Sequence, residues 1–522
     1  MSIAERHQRV TAALALGLAF AAVKIGVEFF GNLVAQHAGY GIFRDELYYI
    51  VCGRHLAWGY VDQAPLVAVQ ARLATALFGF HDLALFRLTA AVAGGIKILL
   101  TGLLVWGLGG RRPAQILAMV AVLIAPVYLG IDSYLSMNAF EPVFWMGALL
   151  AVMLMVRGAS PRWWLVVGLC GGLGILNKPS AVFFLAALVI GLLITPQRRL
   201  LWSRWVLVAG GLMALLVLPY GLWQLQHHWP TLEWLNNVRQ SQKNVVLAPL
   251  PFVGAQILML HPLSIFLLLP GLVWLFAARD ARRFLWIGVA YLVFLALMMH
   301  LHAKDYYLAP IYPVLFAAGA LAWEHAFAGS RRTRWLLPAW CVVLAIAGAL
   351  TLPMAIPVLA PQAWIRYTRA LHLNSTNTET QGSGPLPQFF ADRFGWSAMV
   401  ARVAQVYDSL SPVDREKAAI YGSNYGEAAA VDVLGAAYGL PHAISGHQNY
   451  FFWGPRGYTG EVMIVIDSDD SLAKLQQEFS SAIVAARTHD PLAMPYENRS
   501  IFLCRGLKRP LAAVWPTTKN WM

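Results

Sequence analysis

The chain has 522 residues, of which 58% are hydrophobic and only 12% charged, and its formal net charge at neutral pH is +13. Mean hydropathy is +0.57. Soluble domains carry roughly 25% charged residues, so this composition excludes an ordinary soluble enzyme. The basic residues stand in short clusters between apolar runs, which is how membrane topology is encoded and not how a nucleic-acid surface is built.

The apolar runs lack a period-two alternation and are long enough to cross a hydrocarbon core of about 30 Å as helices. About eleven spans are predicted by this length criterion, near 10–34, 84–108, 113–130, 138–156, 163–177, 180–195, 203–223, 256–277, 284–301, 306–325 and 335–357. The N-terminal stretch MSIAERHQRV resembles the basic region of a signal peptide, but the apolar run after it continues too far, which predicts an uncleaved first helix. If the spans simply alternate, Arg6 and Arg9, Arg111 and Arg112, Arg157 and Arg162, and the arginines near 198–204, 279–283 and 331–334 all fall on one side. The positive-inside rule makes that side the cytoplasm. The connections rich in unusual polar residues then face outward. Cys52, Cys170, Cys341 and Cys504 are too scattered for a disulfide framework or a metal knuckle.

The first outer loop, 36–83, holds the densest polar chemistry: Arg44, Asp45, Glu46, Tyr48, Tyr49, Arg54, His55 and Asp62. Two segments in it, 44–57 and 65–80, have helical spacing of apolar residues and read as interfacial helices, with Asp62 at a bend fixed by Pro65. Adjacent helical positions point about 100° apart, so Asp45 and Glu46 are expected to do different jobs. Either one faces a cleft as a general base while its neighbour caps, pairs or binds a metal, or both cap the helix whose first turn they occupy.

Farther along, Lys178 stands in LNKPSAVFF between two apolar runs, against the positive-inside bias. It either snorkels to the interface or meets an anionic group there, such as a lipid phosphate. HAKDYYLAPIYP brings Lys304, Asp305, Tyr306 and Tyr307 to the mouth of a helix, either as part of an aromatic belt or as a site. Asp132, Asn138 and Glu141 form a weaker set, and His227, His228, His261 and His302 share the outer side without the spacing of a metal motif; a divalent ion remains an open cofactor reading.

From about 359 the composition turns to soluble usage. A linker is predicted over 359–390, with the polar run NSTNTETQGSGPLP at 374–387, followed by a soluble α/β domain over 391–522; residues 1–358 form the membrane domain. AAIYG, HAISG, VMIVID and IFLCRG read as strands, and GEAAAVDVLGAAYG and DSLAKLQQEFSSAIVAAR as helices. The chain has no Walker loop, dinucleotide fingerprint or nucleophile elbow, so nucleotide-powered transport is not indicated.

Taken in order, RDELYYIVCGRHLAWGYVDQAPL, LNKPSA, KDYYLAPIYP, ADRFGW, NYGEAAAVD and AISGHQNYFFWGP resemble bacterial glycosyltransferase family 39, relatives of the protein O-mannosyltransferases and of the lipid A aminoarabinose transferases. The resemblance implies a GT-C fold and an inverting membrane enzyme that takes a sugar from a polyisoprenyl-phosphate donor. It implies a lipid, glycan or protein acceptor, a bacterial inner membrane location with the N-terminus cytoplasmic, and an active site and C-terminal domain on the periplasmic face. It maps the family's loop-one acid to Asp45, with Glu46 beside it, and assigns Lys178 and Lys304, with Tyr306, Tyr307 or Arg44, to the donor phosphate, and Asp62 to donor or substrate binding. Many relatives have Asp-His-Pro-Pro-Leu where this chain has Asp62-Gln63-Ala64-Pro65-Leu66, which removes a histidine from the neighbourhood of Asp62. The C-terminal segments are left with acceptor binding as a possible role. A lipid-linked glycan flippase or small-solute transporter is the rival reading, and it requires acids and broken helices near the middle of the membrane and some twofold repetition, which is not evident in the sequence.

Overall fold

The computed structural model describes residues 3–241, 243–372, 380, 382 and 384–522, without the side chains of residues 3–7 and 9. The side chains of Arg6 and Arg9 of the first basic cluster, Gln242, and residues 373–379, 381 and 383 of the expected linker therefore lie outside the description. The chain separates into two compact units, one of Met1–Ala35, Phe78–Leu222 and Val246–Val358, the other of Gln36–Leu77, Trp223–Val245 and Leu359–Met522.

The first unit is a helical membrane body. Among the described residues, seven helices are long and apolar enough to cross a membrane, and three further pairs, such as Pro249–Met259 with Pro262–Ala277, are bent by 62° to 115° as broken spans or re-entrant loops are, for up to ten spans in all. The remaining expected span, 163–177, is the Trp164–Asn177 helix of 14 residues. At 1.5 Å per residue it reaches only about 21 Å. Prolines start or interrupt the bent pairs, because a ring in place of an N–H breaks the helical ladder. Polytopic helical architecture was therefore readable from the apolar runs, while the bends were not.

With lipid on the outside, this unit coheres by close packing. The Ile265–Ala277 and Tyr312–Phe327 helices cross through Gly271 and Gly319; a Cβ at Gly319 would stand 2.1 Å from the Leu267 carbonyl oxygen. Deeper in the same core, Trp145 stacks on Phe184 at 4.2 Å between ring centroids and meets Phe294 edge-on at 5.1 Å. Leu207, Leu215 and Leu350 remain exposed on the flanks, as lipid-facing residues are.

The second unit contains a four-stranded sheet of β1 (Ala418–Gly422), β2 (Val462–Asp467), β3 (Phe479–Arg487) and β4 (Ser500–Leu507), in the order β1-β2-β4-β3. β1 and β2 are parallel, whereas β4 runs antiparallel to both of its neighbours. Met463, Val465, Phe502 and Cys504 fill its core, together with Phe479 and Trp515. Two sequence readings need correction. HAISG contributes only a bridge, Tyr421 to Ile444. The predicted helix from Asp470 stops at Glu478, and Phe479–Arg487 is an edge strand with a bulge near Val484. Its β-branched Ile483 and Val484 suit a pleated edge, and pairing with β4 overrides the helical reading.

The first-loop segments belong to this same unit. They form the Arg44–Arg54 and Leu66–Phe78 helices. Leu47, Tyr48, Ile50 and Val51 of the first are buried, while Val69, Leu73 and Leu77 of the second are exposed.

Candidate active site

The Arg44–Arg54 helix begins against the chain near Asp392. Gly41 N–H donates to the Arg393 carbonyl at 3.1 Å and Arg44 N–H to the Asp392 carbonyl at 3.0 Å. Only glycine fits at position 41, since a Cβ there would lie 2.7 Å from the Arg393 carbonyl oxygen. Within the first turn the two acids diverge. Glu46 is fully buried and accepts from the Phe43 N–H at 3.0 Å, closing the helix N-terminus. Asp45 points elsewhere, with its side chain 31% exposed.

The surroundings of Asp45 come from the C-terminal part of the unit. Tyr425 donates its hydroxyl to Asp45 Oδ1 at 2.7 Å, and Arg44 Nε stands 3.7 Å from the same oxygen. The Arg44 guanidinium is clasped between the rings of Tyr425 and Tyr496, donates to the Tyr496 hydroxyl at 2.7 Å, and lies 3.6 Å from Glu497 and 3.9 Å from Asp392. Arg44 is therefore committed to several partners at once.

Asp62 joins the same neighbourhood through Tyr48, whose hydroxyl donates to Asp62 Oδ1 at 3.1 Å and accepts from the Asn449 N–H at 3.2 Å. The Tyr48 ring packs on that of Tyr425, 4.7 Å between centroids. Burial pushes the Asp62 carboxyl up to about 7, against the opposing effect of the Tyr48 hydrogen bond. Two acids of one loop thus sit in different environments, one open to solvent and one holding its proton near neutrality.

In the first unit, Lys178 follows the Trp164–Asn177 helix and bonds Glu141 Oε2 and Asn138 Oδ1, each at 3.0 Å. Ser180 donates to the other oxygen of Glu141 at 2.8 Å. The ammonium lies over the rings of Tyr307, at 4.1 Å, and Tyr306, at 5.2 Å. A narrow crevice lies alongside, lined by Ile131, Asn138, Glu141, Tyr306, Ala309 and Pro310. The structure therefore brings together three of the predicted residues, Lys178, Tyr306 and Tyr307, with the weaker pair Asn138 and Glu141. Lys304 is partly buried and precedes the short helix Asp305–Ile311. Arg44, Asp45, Glu46 and Asp62 belong to the other unit.

The first unit also holds a charge cluster of which sequence reasoning singled out only Asp132, and with other partners. Lys24, Glu28, Lys97 and Asp132 are all fully buried. Lys97 bonds Asp132 at 2.8 and 3.0 Å, and Lys24 reaches Glu28 at 2.5 Å and Asp132 at 3.1 Å. The available signal was the pair Lys24 and Glu28, four residues apart inside an apolar run, since ionisable groups at membrane depth are costly and seldom incidental. Tyr425, Tyr496 and Asn449 were also missed as neighbours of the first loop. Among the described residues, no group of three or more His, Cys, Asp or Glu side chains is arranged to hold a metal ion. His227 instead stacks on Trp223 at 4.1 Å, and His261 accepts from the Leu263 N–H.

This architecture is the GT-C fold of membrane glycosyltransferases. The chain is similar to ArnT from Cupriavidus metallidurans bound to undecaprenyl phosphate, with a TM-score of 0.60 and 16% identity over 93% of this chain and 97% of that one. Against the apo state of the same protein the TM-score is 0.58 and the identity 17%, over 94% and 98% of the two chains. At such identities the likeness is one of fold. Residues 62–223 match the family described as dolichyl-phosphate-mannose-protein mannosyltransferase. That stretch includes Asp62, Glu141 and Lys178 and begins after Asp45. A search of curated proteins gives no significant sequence match.

Proposed function

We propose that this protein is an inverting glycosyltransferase of the bacterial inner membrane that moves a sugar from a polyisoprenyl-phosphate donor to a hydroxyl of a lipid, glycan or protein on the periplasmic face. In this reading the N-terminus is cytoplasmic and residues 391–522 are periplasmic. The observation that carries the reading is the Asp45 carboxylate, in a chain with the GT-C fold: one oxygen is tied to Tyr425 and the side chain stays partly open to solvent. An open carboxylate with a fixed orientation suits a general base. The undecaprenyl phosphate bound to the ArnT structure supports the donor class.

Asp45 takes the acceptor's hydroxyl proton as the oxygen attacks the anomeric carbon. The bond from that carbon to the phosphate oxygen breaks, and its electron pair leaves with polyisoprenyl phosphate. Base assistance of this kind contributes roughly 10²- to 10⁴-fold. Lys178, supported by Tyr306, Tyr307 and Lys304, holds the phosphate and the charge that develops on it. Glu46 maintains the helix that carries the base, Arg44 fixes the chain beside it, and Asp62 serves as a polar neighbour of substrate.

The buried Lys24, Glu28, Lys97 and Asp132 cluster is the feature a carrier would need. Its two ammoniums and two carboxylates balance one another, which favours a structural part over an ion pathway. The discriminating experiment supplies radiolabelled polyisoprenyl-phosphate sugars to the purified protein in nanodiscs, with membrane lipids, glycans and peptides as acceptors. Labelled product supports the enzyme. If no donor is consumed while the protein moves lipid-linked sugar across sealed vesicles, the carrier reading replaces it.

A further inference from the structure

The N-terminus of the Tyr425–Leu434 helix lies directly against the first turn that bears Asp45, within the second unit. A Cβ on Gly426 would meet Arg44 Cγ at 2.7 Å, so the two helix starts can approach this closely only because position 426 is glycine. Tyr425 itself is held at three points. Its N–H donates to His447 Nδ1 at 3.0 Å, its ring packs on Tyr48, and its hydroxyl reaches Asp45. Burial depresses the His447 imidazole to about 4, so that it stays neutral and its Nδ1 remains an acceptor at physiological pH. Asn424 completes the frame by accepting from the Gly426 and Glu427 N–H groups at 2.8 and 3.1 Å.

We infer that Tyr425 is a positioning residue for the base: its hydroxyl holds Asp45 Oδ1 so that Oδ2 is presented to the acceptor hydroxyl. The inference rests on the proposed role of Asp45 and gives the C-terminal domain a direct part in the chemistry. A carboxylate on a free rotamer samples several directions, and a charged hydrogen bond to a fixed phenol selects one of them. The proton transfer then runs from the acceptor to Oδ2 alone, while the phenol keeps its own proton throughout.

The test compares Tyr425→Phe, Tyr425→Leu, Asp45→Asn and the Asp45→Asn/Tyr425→Phe pair, as full-length protein in nanodiscs with radiolabelled polyisoprenyl-phosphate sugar. Tyr425→Phe keeps the ring against Tyr48 and Arg44, so its melting temperature should stay within a few degrees of the wild-type value. Its kcat should fall about 10-fold or more, the scale of one hydrogen bond to a charged group, with donor KM within about twofold. The double variant should be no slower than Asp45→Asn alone, since the hydroxyl acts only through the carboxylate. Wild-type kcat in Tyr425→Phe together with loss in Tyr425→Leu would reduce the tyrosine to packing and overturn the inference. Losses that multiply in the double variant would overturn it as well. Full activity in Asp45→Asn refutes the base assignment itself, a different outcome. Carbodiimide labelling of Asp45, read by mass spectrometry, applies whether or not turnover is found: Tyr425→Phe should label faster than wild type, and equal rates contradict the restraint.

Discussion

Replacing Lys178 by methionine separates what the lysine does for the fold from what it is proposed to do for the donor. The ammonium and Glu141 are 3.0 Å apart with side-chain exposures of 9% and 3%. At an effective dielectric constant of about 20 their attraction is about 5 kcal/mol, most of it offset by the cost of taking both charges out of water. Removing the lysine alone leaves the carboxylate buried, with Ser180 as its remaining donor. The expected cost is about 3 kcal/mol, the lower end for a broken buried pair. Glu141→Gln alone strands the ammonium instead and should cost a similar amount, whereas Lys178→Met/Glu141→Gln has no stranded charge and should lie within about 1 kcal/mol of wild type, so the double-mutant cycle should give a coupling of about 5 kcal/mol. Reversible unfolding in mixed micelles measures these values, and additivity within about 0.5 kcal/mol refutes the pairing. Sugar transfer should behave differently. The double variant recovers stability but not turnover, because the cation offered to the phosphate is gone; recovered turnover would remove Lys178 from donor binding.

Asp132→Leu should destabilise the first unit by about 3–5 kcal/mol, because Lys97 loses its carboxylate partner deep among the spans; an unchanged unfolding midpoint contradicts this. Asp62 gives a pH signature. Its carboxyl is raised to about 7 in the fold, above the ordinary value near 4 that it has when unfolded. Between those values the folded state holds the extra proton, so this residue's contribution favours folding at low pH and is lost as pH rises from about 4 to 7. Asp62→Asn should flatten that part of the melting-temperature profile and leave the protein more stable than wild type at pH 8; an unaltered profile would mean that Asp62 is not held in a buried environment.

Much of the membrane architecture was legible because lipid imposes it: a helix that must satisfy its own backbone and face hydrocarbon needs a long apolar run. The divergence of Asp45 and Glu46 was legible for an equally local reason, the rotation between adjacent helical positions. Long-range partners were not. Tyr425 is 380 residues from Asp45, and Glu141 is 37 from Lys178. No periodicity encodes such meetings; NYGEAAAVD carried the resemblance without disclosing that its tyrosine meets the first-loop acid. The Lys24, Glu28, Lys97 and Asp132 cluster was hidden differently, because each charge by itself is a blemish in an apolar run and only their convergence makes sense of them. The Phe479–Arg487 strand was read as helix because Ala482, Ala485 and Ala486 sustain a helical composition, and the pairing that overrides it comes from β4.

The most direct test of the central claim is single-turnover transfer from a radiolabelled polyisoprenyl-phosphate sugar by wild-type protein and by Asp45→Asn, with folding of the variant verified by its unfolding midpoint. Removing a general base should slow transfer by about 100-fold or more while the midpoint stays within a few degrees of wild type. Transfer by Asp45→Asn at the wild-type rate would contradict the assignment of Asp45 as the base.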